Sequence, residues 1–313
     1  MDKILVVGID SVVGANFAAE LAQRFQIIAV SLGELLDIAG CEIVLCDTGD
    51  TESVRKCVAS QRPNGVVFCG PTSQTAWSSP DGSHLQPAGV AAVRPWAAAA
   101  AEFGSEFTLV SSDAVFTGPW MFHRENGTSF CDTHPARVIR LVEKEVANCN
   151  PDALIIRTHV YGWAPSNGTP SFVNAVFESL QNELPWEVDC TAHATPILAT
   201  DFAGILATAI EHRLRGLFHL GGGERINRFR FASLLADEFG LNPASLMPVE
   251  PACEARKEFG LGETSLQARK LKRTLEFAPP LIREGLARLH DQYRSGYLDR
   301  FGAALPLVSD RVA

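Results

Sequence analysis

The chain has 313 residues, of which 46% are hydrophobic and 20% charged, and its net charge is −9. This balance is typical of a globular protein with one large or two closely joined domains. The acidic charge and the lack of a Lys/Arg run argue against a nucleic-acid binder. No signal-peptide layout follows Met1 and no apolar run approaches the ~18–20 residues of a membrane span, so we expect a cytoplasmic protein.

The first half alternates short apolar runs with amphipathic stretches. The runs predict strands at 3–8, 26–32, 41–47, 64–70, 106–112 and 153–158. The stretches between them predict helices at 11–25, 51–60 and 89–104, with Pro95 marking a kink or a first turn of the third. This alternation indicates parallel strands with helical crossovers. We therefore predict an α/β fold with a doubly wound parallel sheet.

The second half is less regular. It predicts helices at 200–212, 230–241 and 279–298, a strand at 216–222 and a loop over 246–266. Eight cysteines show neither C-x-x-C nor zinc spacing, so we expect mostly buried, reduced thiols and no metal site.

A glycine loop, "GIDSVVG" (8–14), joins the first strand to the first helix. Gly8 permits a tight turn and Gly14 a close approach of helix and strand, while the helix N-terminus can hold a pyrophosphate. Ser11 replaces the middle glycine of a G-x-x-G-x-x-G pattern and could cap the helix or donate to the phosphate. The loop predicts a dinucleotide site, and a plain strand–helix turn is the alternative.

Ligands of doubly wound sheets lie beyond the carboxyl ends of the strands. The cofactor-binding candidates at these ends are Gly8, Asp10, Ser11, Val12, Gly14, Asp47, Cys69 and Gly70. The second strand ends in Val30-Ser31-Leu32, with neither an acid for a ribose 2′-hydroxyl nor an arginine for a 2′-phosphate. Asp47 could reach the adenine side or cap a turn. The choice between NAD and NADP therefore stays open.

Further motifs follow in a recognisable order. They are "VSSDAVFTG" (110–118), "IIRTHVYG" (155–162), "FVNAVF" (172–177), "ATPILATDFAGIL" (194–206), "GLFHLGGGE" (216–224) and "TSLQARKL" (264–271). Together with the glycine loop, the chain resembles the dTDP-4-dehydrorhamnose reductase family of extended short-chain dehydrogenases. The resemblance implies a Rossmann domain over 1–160 and a smaller substrate-binding region over 161–313, interleaved with Rossmann elements near 199–221.

The resemblance also implies a reaction, the NAD(P)H-dependent reduction of a nucleotide-linked keto sugar. A tyrosine hydroxyl protonates the carbonyl oxygen, a lysine four residues later lowers the tyrosine pKa, and a Ser/Thr hydroxyl steadies the substrate. Ser112 matches the Ser/Thr position, although a strand-end hydroxyl can equally bond local backbone. Arg256 and Lys257 could clamp a diphosphate or simply be surface charges.

The tyrosine–lysine pair is missing from "HPARVIRLVEKEVANC" (134–149). Aligned from Arg157 without gaps, Pro135 takes the tyrosine position, Ile139 the lysine position and Glu143 that of a family glutamate. Aligned from His134-Pro135, Ile139 and Glu143 take the pair's positions instead. The chain's three tyrosines, Tyr161, Tyr293 and Tyr297, lie elsewhere. We therefore expect weak or no standard reductase activity.

The stretch 134–149 has the pattern of a helix with an apolar and a polar face. The apolar stripe is Val138, Leu141, Val142 and Val146, and the polar face is Arg137, Arg140 and Lys144 with Glu143 beside them. A solvated charged face is the simpler interpretation. In a rebuilt site Arg140 or Lys144 would bind phosphate, and His134 or Cys131 would supply the proton.

Two hypotheses remain. The first is a reductase of a nucleotide sugar with a substituted acid. The second is a binding protein of the same fold, which holds a dinucleotide or nucleotide sugar without turnover and regulates a partner. A homodimer is what the resemblance implies. Fold alone does not decide between the two.

Overall fold

The computed structural model describes residues 2–78, 82, 85, 91–165, 171–251 and 259–302. The strands are β1 (Lys3–Val7), β2 (Gln26–Val30), β3 (Glu42–Ile43), β4 (Gly65–Phe68), β5 (Glu106–Ser112), β6 (Leu154–Thr158), β7 (Val160–Tyr161), β8 (Trp186–Asp189), β9 (His193–Ala194), β10 (Ile197–Leu198), β11 (Gly216–Leu220), β12 (Ile226–Asn227) and β13 (Leu246–Val249). The helices are α1 (Val12–Leu21), α2 (Thr51–Gln61), α3 (Val93–Phe103), α4 (His134–Cys149), α5 (Phe172–Gln181), α6 (Ala199–Glu211), α7 (Arg228–Phe239), α8 (Arg269–Leu275) and α9 (Ile282–Arg294).

Seven strands form one parallel sheet in the order β11-β6-β5-β4-β1-β2-β3. The chain runs outward from β1 to β3, returns, and continues outward from β4 on the other side. This reversal is the topological switch point of a doubly wound fold, where ligands bind. The predicted fold class is confirmed.

Alternate residues of the central strands supply two cores. Ile4 and Val6 face one core with residues of α1 and α6, whereas Leu5 and Val7 face the other with residues of α2 and α3. Because a strand sends successive side chains to opposite faces, a strand covered by helices on both sides must be apolar throughout. The unbroken run "KILVV" satisfies that requirement.

Three sequence predictions for secondary structure were wrong. The strand expected over 41–47 pairs only at Glu42–Ile43, because it lies at the sheet edge and has a single neighbour. The loop expected over 246–266 begins with β13, which pairs in parallel with β8. Helices α5 and α8 were missed. Short elements of this kind depend on a partner more than on their own pattern.

Pro95 lies in the first turn of α3, where its missing N–H costs nothing. Among the described residues, no helix is both long and apolar enough to cross a membrane. Within the same ranges, no cluster of His, Cys, Asp and Glu could hold a metal ion. The seven described cysteines are free thiols, and three of them are buried.

Candidate functional site

A tight glycine turn connects β1 to α1. Gly8 has a φ of +89°, and a Cβ there would lie 2.6 Å from the carbonyl oxygen of Cys69. A Cβ on Gly14 would lie 2.1 Å from the carbonyl oxygen of Gly8. Both positions therefore require glycine, one for its left-handed backbone and the other for the close approach of helix and turn. This geometry brings the start of α1 to the switch point.

Ser11 caps α1. Its Oγ accepts a hydrogen bond from the Gly14 N–H at 3.0 Å and lies 2.7 Å from the carbonyl oxygens of Gly8 and Cys69, which share its single O–H donor. The hydroxyl is thus engaged with the protein, as the capping alternative predicted. Within the described part of the chain, no hydrogen bond is made by the amides of Val12 and Val13. These two first-turn amides are available to an anion.

The remaining cofactor candidates surround this turn. Asp10 is half-buried and its Oδ1 accepts from the Leu32 N–H at 3.0 Å. Gly70 leaves no room for a Cβ, which would lie 2.2 Å from the ring of Phe68. Asp47 is exposed and accepts from the Gly49 N–H at 3.0 Å, as a turn cap does. Cofactor binding by these residues stays a prediction.

A cavity opens between the glycine turn and the segments that follow β4 and β6. Its walls include Asp10, Ser11, Val12, Trp77, His159 and Phe172. Trp77 packs edge-on against His159 with ring centroids 4.5 Å apart. The cavity lies beyond the carboxyl ends of the strands, where the doubly wound rule places a ligand.

One polar group on the cavity wall is a buried histidine. The His159 Nδ1 lies 2.9 Å from the Asp113 Oδ2, which also accepts from the Thr264 Oγ1 at 2.5 Å. The Nε2 of His159 is buried, and it has no hydrogen-bond partner among the residues that the structure describes. An orphaned nitrogen of this kind costs free energy unless a ligand or water completes it. Asp113 orients the ring, as a carboxylate does in other histidine dyads.

Ser112 is fully buried at the end of β5. Its Oγ accepts from the Ala114 N–H at 3.2 Å and donates to the Asp113 Oδ1 at 3.4 Å. These are the local bonds that the alternative interpretation of a strand-end hydroxyl predicted. A role for Ser112 toward substrate stays a prediction.

Hydrocarbon occupies the place where the family's lysine is aligned. Ile139 is fully buried in an apolar cluster with Ala114, Ala136 and Phe259, and Pro135 is half-buried in the first turn of α4. The cluster's side chains come from several separate segments of the chain. Apolar side chains from separate parts of the chain therefore surround Ile139.

The predicted faces of α4 need two corrections. Leu141, expected in the apolar stripe, is 54% exposed, and Glu143, expected on the polar face, is buried. Glu143 turns inward because Arg157 on β6 meets it at 2.6 and 2.8 Å, while Ser111 donates to it at 2.6 Å. A buried carboxylate needs such a counter-charge, and helical spacing alone could not reveal it.

The residues of the alternative rebuilt site lie away from the cavity wall. Arg140 packs on the Phe130 ring at 4.6 Å and Lys144 is exposed. Cys131 is buried with its Sγ 3.2 Å from the Thr133 Oγ1, and His134 is exposed. None of the four lines the cavity. Arg256 and Lys257, the predicted diphosphate clamps, lie outside the described residues.

The three tyrosines pack against other aromatic rings. Tyr161 borders the cavity, but its ring packs on Phe231 in the core and burial raises its pKa. Burial also raises the pKa of Tyr297, which packs on Phe301. Tyr293 packs beside Trp163. None of the three hydroxyls makes a hydrogen bond with Ser112.

Sequence reasoning missed His159 and Trp77. A usable indication existed for the first, since His159 directly follows β6 at the ligand-bearing edge of the sheet. Its partner Asp113 follows the neighbouring strand β5, so the two side chains meet at one edge. Trp77 comes from an irregular segment after β4, and no sequence pattern placed it.

The family model described as RmlD substrate binding domain matches residues 1–295. The chain is 25% identical over 213 residues to methionine adenosyltransferase 2 subunit beta of Danio rerio, a match that covers 65% of this chain. It spans 64% of the length of that relative.

Solved structures share the fold. The dTDP-4-dehydrorhamnose reductase of Bacillus anthracis, in complex with NADP, has a TM-score of 0.78 and 18% identity, covering 93% of this chain and 99% of its own. The UDP-glucose 4-epimerase of Thermus thermophilus, in complex with NAD, has a TM-score of 0.75 and 18% identity, with coverage of 93% and 99%. At this identity the similarity establishes the architecture.

Proposed function

Because the chain belongs to the RmlD substrate-binding domain family, we propose that it binds an adenine dinucleotide, NAD or NADP, without carrying out the family's reductase reaction. The observation that carries the proposal is a contrast within one site. The glycine turn keeps the geometry that a pyrophosphate needs, whereas the aligned tyrosine and lysine positions hold Pro135 and buried Ile139. The protein can hold the cofactor but lacks the usual proton donor.

Two features support the ligand class. The free amides of Val12 and Val13 and the positive end of α1 suit a pyrophosphate. The structures of similar fold from Bacillus anthracis and Thermus thermophilus hold NADP and NAD. We place the dinucleotide on residues 1–160. A nucleotide sugar is the second ligand we propose, on the part from residue 161 onward apart from the Rossmann elements near 199–221.

The relatives support a role in an assembly. The matched proteins are named as beta subunits of methionine adenosyltransferase 2. We propose that this chain likewise acts on a partner protein, in the cytoplasm, with the bound dinucleotide as a structural or signalling ligand. An assay of the dinucleotide alone tests the first step of this proposal.

We expect NADH or NADPH to change the tryptophan fluorescence saturably, because Trp77 lines the cavity. We expect no oxidation of the reduced cofactor when dTDP-4-keto sugars are added, as followed by its absorbance. A Trp77→Phe variant is the matched control, since it should lose the fluorescence response while calorimetry still detects binding. Steady turnover would overturn the proposal, and so would a lack of binding below millimolar concentration.

A second candidate function, a reductase with a substituted acid, is favoured by one observation. The unpartnered Nε2 of His159 lies on the cavity wall and the ring is oriented by Asp113. If turnover is found, His159→Asn should lower its rate at least about a hundredfold, which is typical of a lost general acid. The asparagine amide can still donate to Asp113, so dinucleotide binding should persist. Turnover that survives this change would exclude His159 as the acid.

A further inference from the structure

The carboxylate of Asp10 stands where the end of β2 lacks an acid. The side chain reaches from the glycine turn to the second strand, where its Oδ1 accepts from the Leu32 N–H at 3.0 Å. A Cβ on Gly33 would lie 3.0 Å from its Oδ2. The hydrogen bond and half-burial hold the carboxylate in place. One oxygen is engaged by the backbone, and the residue also lines the cavity.

The chain segment that follows β2 carries charge of one sign. The segment 31–50, which follows β2 and includes β3, contains five carboxylates and no lysine or arginine. They are Glu34, Asp37, Glu42, Asp47 and Asp50. The segment therefore offers no cation to neutralise a phosphate.

In doubly wound dinucleotide folds, the adenosine ribose lies at the end of the second strand. A carboxylate there accepts from the ribose 2′-hydroxyl, whereas a 2′-phosphate requires an arginine or lysine. The usual acid of the second strand is absent, since that strand ends in Val30-Ser31-Leu32. Asp10 supplies a carboxylate at the same place from a different segment.

We propose that Asp10 makes this site selective for adenine dinucleotides that lack a 2′-phosphate, so that it takes NAD(H) and rejects NADP(H). The selection rests on the proposed dinucleotide function and specifies its ligand. It acts by two effects, a hydrogen bond to the 2′-hydroxyl and electrostatic repulsion of a 2′-phosphate. The repulsion is between a fixed single charge and a phosphate of nearly two charges.

The test compares the dissociation constants of NADH and NADPH by calorimetry on the full chain. We expect NADH to bind at least about tenfold more tightly than NADPH at low salt. The ratio of the NADPH to the NADH dissociation constant should decrease as salt screens the repulsion. Asp10→Asn keeps an amide oxygen for the Leu32 N–H and removes the charge. This variant should lower the ratio of the NADPH to the NADH dissociation constant on the order of tenfold, mainly because NADPH binds more tightly.

Glu42→Gln is the matched control, because it removes one carboxylate from the same segment at an exposed position on β3. It should leave the ratio within about twofold, since exposed charges farther from the ligand are screened. ADP-ribose and its 2′-phosphate should show the same preference, which isolates the ribose end from the nicotinamide end.

The outcomes separate the two proposals. If neither cofactor binds, the proposed function itself fails. If both bind and NADPH is equal to or tighter than NADH, the function stands and the selection by Asp10 is wrong. The same conclusion follows if Asp10→Asn leaves the ratio unchanged.

Discussion

Replacing Arg157 by methionine should lower the free energy of unfolding by about 3–5 kcal/mol, because it leaves the carboxylate of Glu143 buried without a counter-charge. The two side chains are only 5% and 8% exposed and meet at 2.6 Å. The guanidinium also packs over the Phe116 ring at 5.0 Å, so that apolar contacts hold its position. Equilibrium unfolding in urea measures the loss.

The double variant Glu143→Leu/Arg157→Met should lose less than either single variant, because no buried charge remains. Arg55→Met gives a surface comparison. It removes a pair with Glu102 whose side chains are 47% and 45% exposed, and it should leave the unfolding midpoint nearly unchanged. Single variants that cost no more than this surface change would show that the buried pair does not stabilise the fold.

Acid should destabilise the protein through a second buried group, His219. Its Nδ1 donates to the His123 carbonyl at 3.0 Å, and its side chain is fully buried. Burial, assisted by the positive charge of Arg157, lowers the pKa of His219 from 6.5 to about 3. Between these values the unfolded chain takes up a proton that the folded chain refuses. The stabilisation of the folded state by neutral His219 is therefore complete above pH 6.5. It is lost as pH falls toward 3, and the free energy of unfolding decreases by up to about 1.4 kcal/mol per pH unit.

The His219→Asn variant should remove this dependence, since asparagine can still donate to the His123 carbonyl but does not titrate. Unfolding free energies are compared at several pH values between about 4 and 6, where His219 contributes one proton. We expect the variant to show a slope smaller by nearly one proton. The difference between the slopes of the two proteins removes the contributions of groups that both share. These groups are the carboxylates and His123, whose pKa burial also lowers. Equal slopes would mean that His219 is protonated in the folded state.

Most of the sheet could be predicted from the chain alone. The runs that became β1, β2 and β4 are almost entirely apolar, and β5 and β6 contain shorter apolar stretches, because helices cover both faces of a parallel sheet. The glycine turn was equally predictable, since Gly8 needs a positive φ and Gly14 allows a close approach to its backbone. The edge strand β3 and the short two-stranded sheets outside the main sheet could not be predicted in this way, because they form only when a neighbouring strand pairs with them.

The candidate site likewise has parts that the sequence indicates and parts that only the folded structure decides. The resemblance aligned Pro135 and Ile139 with a tyrosine and a lysine at a fixed helical spacing, and this assignment stays a prediction. The inward turn of Glu143 escaped the helical pattern. Its partner Arg157 lies 14 residues away on β6, and the two meet only when α4 packs on the sheet. A buried charge is placed by its counter-charge, so periodicity misassigned it to solvent.

The groups that face the cavity depend on contacts between distant parts of the chain. Asp113, His159 and Thr264 come together from segments separated by 46 and 151 residues. Asp10 reaches Leu32 across 22 residues. Local patterns were sufficient for the sheet, the crossovers and the glycine turn, since propensity and hydrophobic spacing act over a few residues. What lines the cavity was decided by the folded chain, because hydrogen bonds and charges there join residues that no local pattern connects.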